Sequence, residues 1–316
     1  MANLGYIQVT RQCNQHCRFC SNPERMVTLS LEEAVERVND LADREYFGVI
    51  FTGGEPTLME HLPEAMAHAK SRGVQVRLIT NGQKTADYDF ISRLVDAGLD
   101  HINISMHSYR DSVQAFLTEN PDSLKNITKT LENTSKLDLS TDINTVINSY
   151  NADHLDMTVK WVVRNFPHVR HFVWNNIDPR MNRASQNKDT VPKLQSFEIS
   201  LYKACRFLEA TGRTFRVERV PLCYMADFAH CSTETRKIIK NEERIVHFLD
   251  EKRFVRQTDW EHGKAECCKI CFLESICAGL YEIDTYYDSE ELYPIFIKKE
   301  TIVSKVIPSA DDSAED

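Results

Sequence analysis

Six short runs rich in β-branched and aromatic residues recur too far apart to pair as hairpins. They are "YIQVT" (6–10), "GVIFT" (48–52), "VQVRLIT" (74–80), "HINISM" (101–106), "TDINTVI" (141–147) and "HFVWN" (171–175). Helical patterns fill the intervals. Strands joined through helices run parallel, which confines this part of the chain to the α/β class. Ser30 followed by Glu33 forms a capping box, and Leu31, Ala34, Val35, Val38, Leu41 and Ala42 then share one helical face. Another helix carries Ile91, Leu94 and Val95 and stops near Gly98, a residue suited to a C-cap. Six strands are too few for a closed eight-stranded barrel. The expected architecture is therefore a partial (β/α)6 TIM-like barrel with function gathered at the carboxyl ends of its strands.

The rhythm breaks near residue 180. "DPRMNRASQNKDT" (178–190) reads as a polar linker, and "LQSFEISLYKACRFLEA" (194–210) reads as a helix. A second cysteine-rich zone spans 223–277, and the end of the chain is acidic. The expected organisation is a core over 1–185, a linker and helix over 186–220, a cysteine-rich module over 221–300, and an acidic disordered tail over 301–316.

With 42% apolar and 27% charged residues, the composition is that of a soluble globular protein. No apolar run is long enough to span a membrane, and "MANLGYIQVT" lacks the basic-then-apolar order of a signal peptide. A cytoplasmic setting is expected, where clustered thiols hold metal more often than they form disulfides. A net charge of −9 disfavours nucleic-acid binding, which draws on Lys and Arg. The most basic stretch, "ETRKIIKNEER" (234–244), alternates signs and reads as a solvated helix face.

Cys13, Cys17 and Cys20 fall within eight positions directly after the first strand, on a loop at its carboxyl end. A [4Fe–4S] cluster takes a thiolate on each iron, so three ligands leave one iron open to a small chelate. A zinc half-site is the competing reading. The second strand runs into "FTGGEP" (51–56), where two of the chain's ten glycines stand together before Glu55, and the third ends in "TNG" (80–82). Glycine lets a backbone approach a ligand closely, and a carboxylate can pair with an amino group.

The Cys-x3-Cys-x2-Cys spacing with Phe19 before the last cysteine, followed by GGE and TNG on successive strand ends, resembles the radical S-adenosylmethionine (SAM) superfamily. The resemblance implies an enzyme that reductively cleaves SAM to a 5′-deoxyadenosyl radical, which then abstracts hydrogen from a substrate. It implies that Gly53, Gly54 and Glu55 hold the methionyl end of SAM and that Phe19 lies beside the adenine. Ser105 and Asn144 match positions that serve the ribose. His107 is a candidate acid–base group or a structural histidine, and Trp174 with Asn175 form either a substrate wall or core.

Cys268, Cys271 and Cys277 resemble the middle of a SPASM domain, an accessory iron–sulfur module of the same superfamily. That module continues with further cysteines, whereas none follows Cys277 here. Cys223 supplies a fourth thiolate, which implies one auxiliary [4Fe–4S] cluster in a shortened, twitch-like module. Cys267 competes with Cys268, Cys231 competes with Cys223, and a four-cysteine zinc site competes with the cluster. Cys205 reads as a buried packing residue, and Cys231, if free, as a hydrogen donor to a substrate radical.

An auxiliary cluster suits net oxidation or cross-linking of a peptide or small-metabolite substrate, with a flavodoxin or ferredoxin as the low-potential electron donor. Peptide recognition would come from outside the barrel, since its first strand begins almost at once. Two alternatives come from other classes: an RNA-modifying enzyme, disfavoured by the net acidity, and a non-catalytic iron–sulfur or zinc scaffold, for which a SAM pocket has no use.

Overall fold

The computed structural model describes residues 3–249 and 254–307. Strands β1 (Leu4–Thr10), β2 (Gly48–Gly53), β3 (Gln75–Thr80), β4 (His101–Ser105), β5 (Ser140–Ile147) and β6 (His171–Asn176) match the six apolar runs to within two residues. Each pairs in parallel with the next. Helices α1 (Leu31–Asp43), α2 (Leu62–Ser71), α3 (Tyr88–Asp96), α4 (Asp111–Thr118), α5 (Ser123–Thr134) and α6 (Leu155–Asn165) fill the crossovers. Both halves of the capping box form at α1: Ser30 Oγ accepts from Glu33 N–H, and Glu33 Oε2 accepts from Ser30 N–H.

The sheet then continues beyond the six strands read from the sequence. After α7 (Asn182–Gln186) and α8 (Leu194–Ala210), β7 (Thr214–Glu218) joins β6 in parallel within the stretch expected to be only linker and helix. Past α9 (Thr233–Lys240), β8 (Arg244–His247) pairs in parallel with β1, and β9 (Val255–Gln257) pairs antiparallel with β8. The order is β7-β6-β5-β4-β3-β2-β1-β8-β9, and the sheet is not closed. Across the opening, Arg244 of β8 forms an ion pair with Glu218 of β7 at 3.2 Å, and its guanidinium stacks on Tyr6 and Trp260.

Alternation along the strands separates two environments. Ile7, Val49, Phe51, Val76, Leu78, Ile102, Ile104, Phe172 and Trp174 are buried in the hydrophobic core. Their neighbours Tyr6, Arg77, His101, Asn103, Asp142, Asn144 and Arg216 line an internal cavity. Leu4, Ile50, Ile79 and Val173 share that lining, so the barrel interior is mixed in polarity, unlike the apolar filling usual inside a closed barrel. The basic 234–244 stretch is not a solvated face: Arg236, Lys237 and Lys240 of α9 line the same cavity. At the far end, α10 (Glu300–Val306) gives helical structure to the start of the stretch expected to be disordered, while the acidic residues 308–316 lie outside the described residues. Among the described residues, no helix is long and apolar enough to cross a membrane.

Candidate cluster and cofactor site

The loop bearing Cys13, Cys17 and Cys20 leaves β1 and is fixed from three sides. Thr118 O and Leu117 O, at the end of α4, accept from His16 N–H and Arg18 N–H. Gln15, itself buried, donates to Ser123 Oγ at the start of α5. From α7, Arg183 Nε donates to Cys17 O at 3.0 Å, Asn182 donates to Ser21 O, and Ala184 N–H donates to Cys20 O. Burial pushes the Cys13 thiol up to about 11. Burial, then the neighbouring sulfurs of Cys20 and Cys13, raise Cys17 well above the ordinary thiol range. Arg183 opposes both shifts, being the cation beside these sulfurs. Asn22 N–H points at Cys20 Sγ at 3.4 Å, and Asn81 Nδ2 lies 3.8 Å from Cys13 Sγ. Hydrogen bonds of this kind to sulfur are among the factors that set cluster potential.

The glycine pair meets this loop directly. A Cβ on Gly53, whose φ is +139°, would lie 2.3 Å from Thr10 O; one on Gly54 would lie 2.2 Å from Gln12 O. Gly54 N–H donates to Thr10 O and Glu55 N–H to Gln12 O, each at 2.7 Å. The glycines therefore serve a close approach of backbone to backbone at the root of the cysteine loop. Glu55 is fully buried. Its carboxylate accepts from Thr57 N–H, Thr57 Oγ1, Thr80 Oγ1 and Asn81 N–H. Burial raises its pKa against the pull of those four bonds. The carboxylate expected to meet an amino group thus ties β2 to the turn after β3, and through Asn81 to Cys13. The backbone of 53–55 remains the part of this motif suited to a ligand.

The other sequence-predicted residues fall into two groups. Phe19, buried, packs edge-on against His107 with ring centroids 4.7 Å apart. His107 Nδ1 accepts from Val146 N–H at 3.2 Å, and burial lowers its pKa to about 3. A buried neutral imidazole packed on Phe19 has the surroundings of a structural histidine, one of the two roles expected for it. Ser105 and Asn144 face each other across β4 and β5, and Asn144 Oδ1 accepts from Asn175 Nδ2 at 2.7 Å. Trp174 is core, enclosed by Phe172 and Phe215. Asn175, one residue on, faces the cavity.

A second pocket is lined by Cys223, Cys268, Cys271 and Cys277, together with Lys264 and Tyr293. Burial drives Cys223 up to about 12, with Cys277 and Cys268 adding to it. Ile295 N–H points at Cys271 Sγ and Gly279 N–H at Cys277 Sγ, at 3.3 and 3.4 Å. Cys267 instead turns its thiol to Leu292 O. Cys231 is buried elsewhere, close enough to Cys205 to raise its pKa after burial. Among the described residues, no three His, Cys, Asp or Glu side chains converge as a single ion requires. Four thiols line this pocket, two of them accepting backbone N–H, a donor set suited to a metal centre.

Arg183, Asn81 and Thr80 were not singled out as site residues. Arg183 meets Cys17 from 166 positions away, inside a stretch that reads as linker, so no local pattern marks it. The TNG turn was the available signal for Asn81 and Thr80.

The Radical SAM superfamily pattern matches residues 7–162. The Fe-coproporphyrin III synthase of Methanosarcina barkeri is 31% identical over 112 residues, 34% of this chain and 28% of that protein. The PqqA peptide cyclase of Bradyrhizobium diazoefficiens is 28% identical over 153 residues, 47% of this chain and 40% of that protein. This chain thus spans less than half the length of these relatives. Among solved structures, native anSMEcpe with bound AdoMet and the Kp18Cys peptide superposes with a TM-score of 0.64 at 14% identity, covering 98% of this chain and 97% of that one. Over nearly the whole chain, then, the fold is shared, and the motifs at the strand ends stand where the family match runs: this protein is a member of the radical SAM superfamily, whose enzymes use a [4Fe–4S] cluster and SAM.

Proposed function

We propose that Cys13, Cys17 and Cys20 hold a [4Fe–4S] cluster with one open iron, and that this chain cleaves SAM there to modify a peptide. The observation that carries the reading is the joined set of contacts at the barrel mouth. Three thiols on one loop are tied through Thr10 and Gln12 to Gly54 and Glu55, and through Asn81 to β3. The remaining seven cysteines stand elsewhere: four line the second pocket, Cys267 lies against Leu292 O, and Cys205 lies near Cys231. When bound, cluster and cofactor supply one-electron cleavage and a carbon radical; the protein supplies placement and exclusion of water. Asn81 and Asn22 orient sulfurs, Arg183 offsets thiolate charge, and Phe19 braced by His107 walls the adenine side. Ser105 and Asn144 stand where the ribose would lie.

Cys223, Cys268, Cys271 and Cys277 are proposed to hold an auxiliary [4Fe–4S] cluster that takes up the electron left by a net oxidation or cross-link. A peptide substrate is supported by the PqqA peptide cyclase likeness and by the peptide-bound anSMEcpe structure. A small-metabolite substrate is the second reading, supported by the Fe-coproporphyrin III synthase likeness. A flavodoxin or ferredoxin in the cytoplasm is the proposed electron source. Reduced, reconstituted protein incubated with SAM should release 5′-deoxyadenosine, and Cys13→Ala, Cys17→Ala or Cys20→Ala should abolish it. Release unchanged in all three variants would remove the reading.

A further inference from the structure

The barrel interior holds a second feature, remote from the cysteine loop. A cavity of about 700 Å³ starts at the amino ends of the strands, at His171 and Thr214, and reaches up to Asn144 and Asn175. The chain carries a net charge of −9, yet six Lys and Arg against three Asp and Glu line this space. The three acids already have partners. Asp142 pairs with His101 at 2.6 Å, Glu218 with Arg244 at 3.2 Å, and Glu242 with Lys237 at 2.7 Å.

Four of the six cations have no carboxylate in an ion pair: Arg77, which lies near Asp142, Lys240, and the two that face each other, Arg216 and Arg236. Arg216 donates to the carbonyl of Phe215 at 2.8 Å and Arg236 to that of His230 at 3.3 Å. Among the described residues, no carboxylate lies within ion-pair distance of either guanidinium. Burial lowers the pKa of Arg216, and the Arg236 charge lowers it further, so the two repel each other across the cavity wall. Both side chains are half-buried and both face the thiol of Cys231 rather than a carboxylate, and a cation partly withdrawn from water without a counter-charge is costly. The guanidinium fork matches the two oxygens of a carboxylate or phosphate, and the volume lies within the range of small-ligand sites.

We propose that this lower cavity is a binding site for an oxyanion, a carboxylate or a phosphate, held between Arg216 and Arg236. Arg216 stands in the middle of β7 and Arg236 on α9, below the Asn144 and Asn175 end of the cavity, so their anion site does not depend on the cofactor reading. It accounts for why α9, whose sequence looks like a solvated surface, turns its cations inward.

The test uses the full reconstituted chain and follows thermal stability in inorganic phosphate and, separately, in succinate, each against chloride at matched ionic strength. A saturable stabilisation above that of chloride is expected. The larger response to phosphate would assign a phosphorylated ligand, and the larger response to succinate a carboxylate. Arg216→Gln and Arg236→Gln should each weaken the response at least about tenfold, while Lys203→Gln, on the exposed side of α8, should leave it unchanged. Arg236 is on a helix rather than a sheet strand, so its variant, checked by circular dichroism, keeps the test decisive if Arg216→Gln misfolds. Phosphate and succinate acting no differently from chloride, or a full response in Arg236→Gln, would overturn the proposal. Neither outcome involves SAM cleavage, so the cofactor reading stands or falls separately.

Discussion

Replacing Gly54 by alanine separates two reasons for a glycine pair at the barrel mouth. If glycine is present so that a ligand can approach, Gly54→Ala should fold normally and bind SAM poorly. The structure gives the other reason: the new Cβ would stand 2.2 Å from Gln12 O and 2.6 Å from Arg11 O, both backbone atoms. Neither can swing aside as a side chain would, so the root of the cysteine loop must move. Overpacking of this kind costs about 1–3 kcal/mol. The bonds from Gly54 N–H to Thr10 O and Glu55 N–H to Gln12 O would lengthen or break, at about 1 kcal/mol each. A total of about 3–5 kcal/mol follows, or a fall in melting temperature of roughly 5–8 °C for a chain of this size. Gly73→Ala is the control, because nothing lies within 4 Å of its Cβ and only its positive φ is strained, at about 1–2 kcal/mol. Urea and thermal unfolding of the apo protein, without cluster or SAM, provide the assay. Wild-type stability in Gly54→Ala, with only SAM affinity lost, would refute the packing argument.

Other perturbations follow from the same geometry. Cys268→Ser should lower the iron content from about eight to about four per chain, whereas Cys267→Ser should leave it at about eight; iron analysis after anaerobic reconstitution decides. Arg183→Met removes the cation beside the loop thiols and should lower the midpoint potential of the amino-terminal cluster by on the order of 50 mV, read by redox titration. Arg244→Met strips Glu218 of its partner across the barrel opening and should cost about 3–5 kcal/mol in denaturant unfolding. His107 binds a proton at about 3 when folded, against an ordinary 6.5. Between those values the unfolded chain takes up a proton that the folded chain does not. Its contribution is therefore complete above 6.5 and is lost as pH falls toward 3, by about 1.4 kcal/mol per pH unit. His107→Asn, which keeps an acceptor for Val146 N–H, should flatten the acid side of the stability profile by one proton.

What the sequence made legible was local. The Ser30–Glu33 box and the face of α1 depend on residues three or four apart, and both form as read. The first six strands were visible through their β-branched runs. β7 and β8 are not: "TFRVE" and "RIVH" are short, Thr214, Arg216, Glu218 and Arg244 point into the cavity, and His247 turns the other way to meet Asp40 of α1. The same cavity explains the misread α9, since mixed charges look solvated whether they face bulk water or an enclosed space. Trp174 and Asn175 could not be told apart as wall or core from composition; the pleat decides, sending Trp174 to the core and Asn175 inward. Between Cys267 and Cys268, or Cys223 and Cys231, spacing had no power to choose. Only the fold turns four of these sulfurs toward one pocket. Arg183 was invisible because its partners are brought to it by the barrel itself.

The proposal that matters most is that the loop of Cys13, Cys17 and Cys20 leaves one iron uncapped by protein. Electron paramagnetic resonance of the reduced cluster, in a Cys268→Ser background that silences the second site, addresses it directly. Adding SAM should shift the g-values as the cofactor takes the open position, and the shift should vanish in Cys17→Ala along with the signal. A spectrum that SAM leaves unchanged, from a cluster that is intact and reduced, would contradict the account.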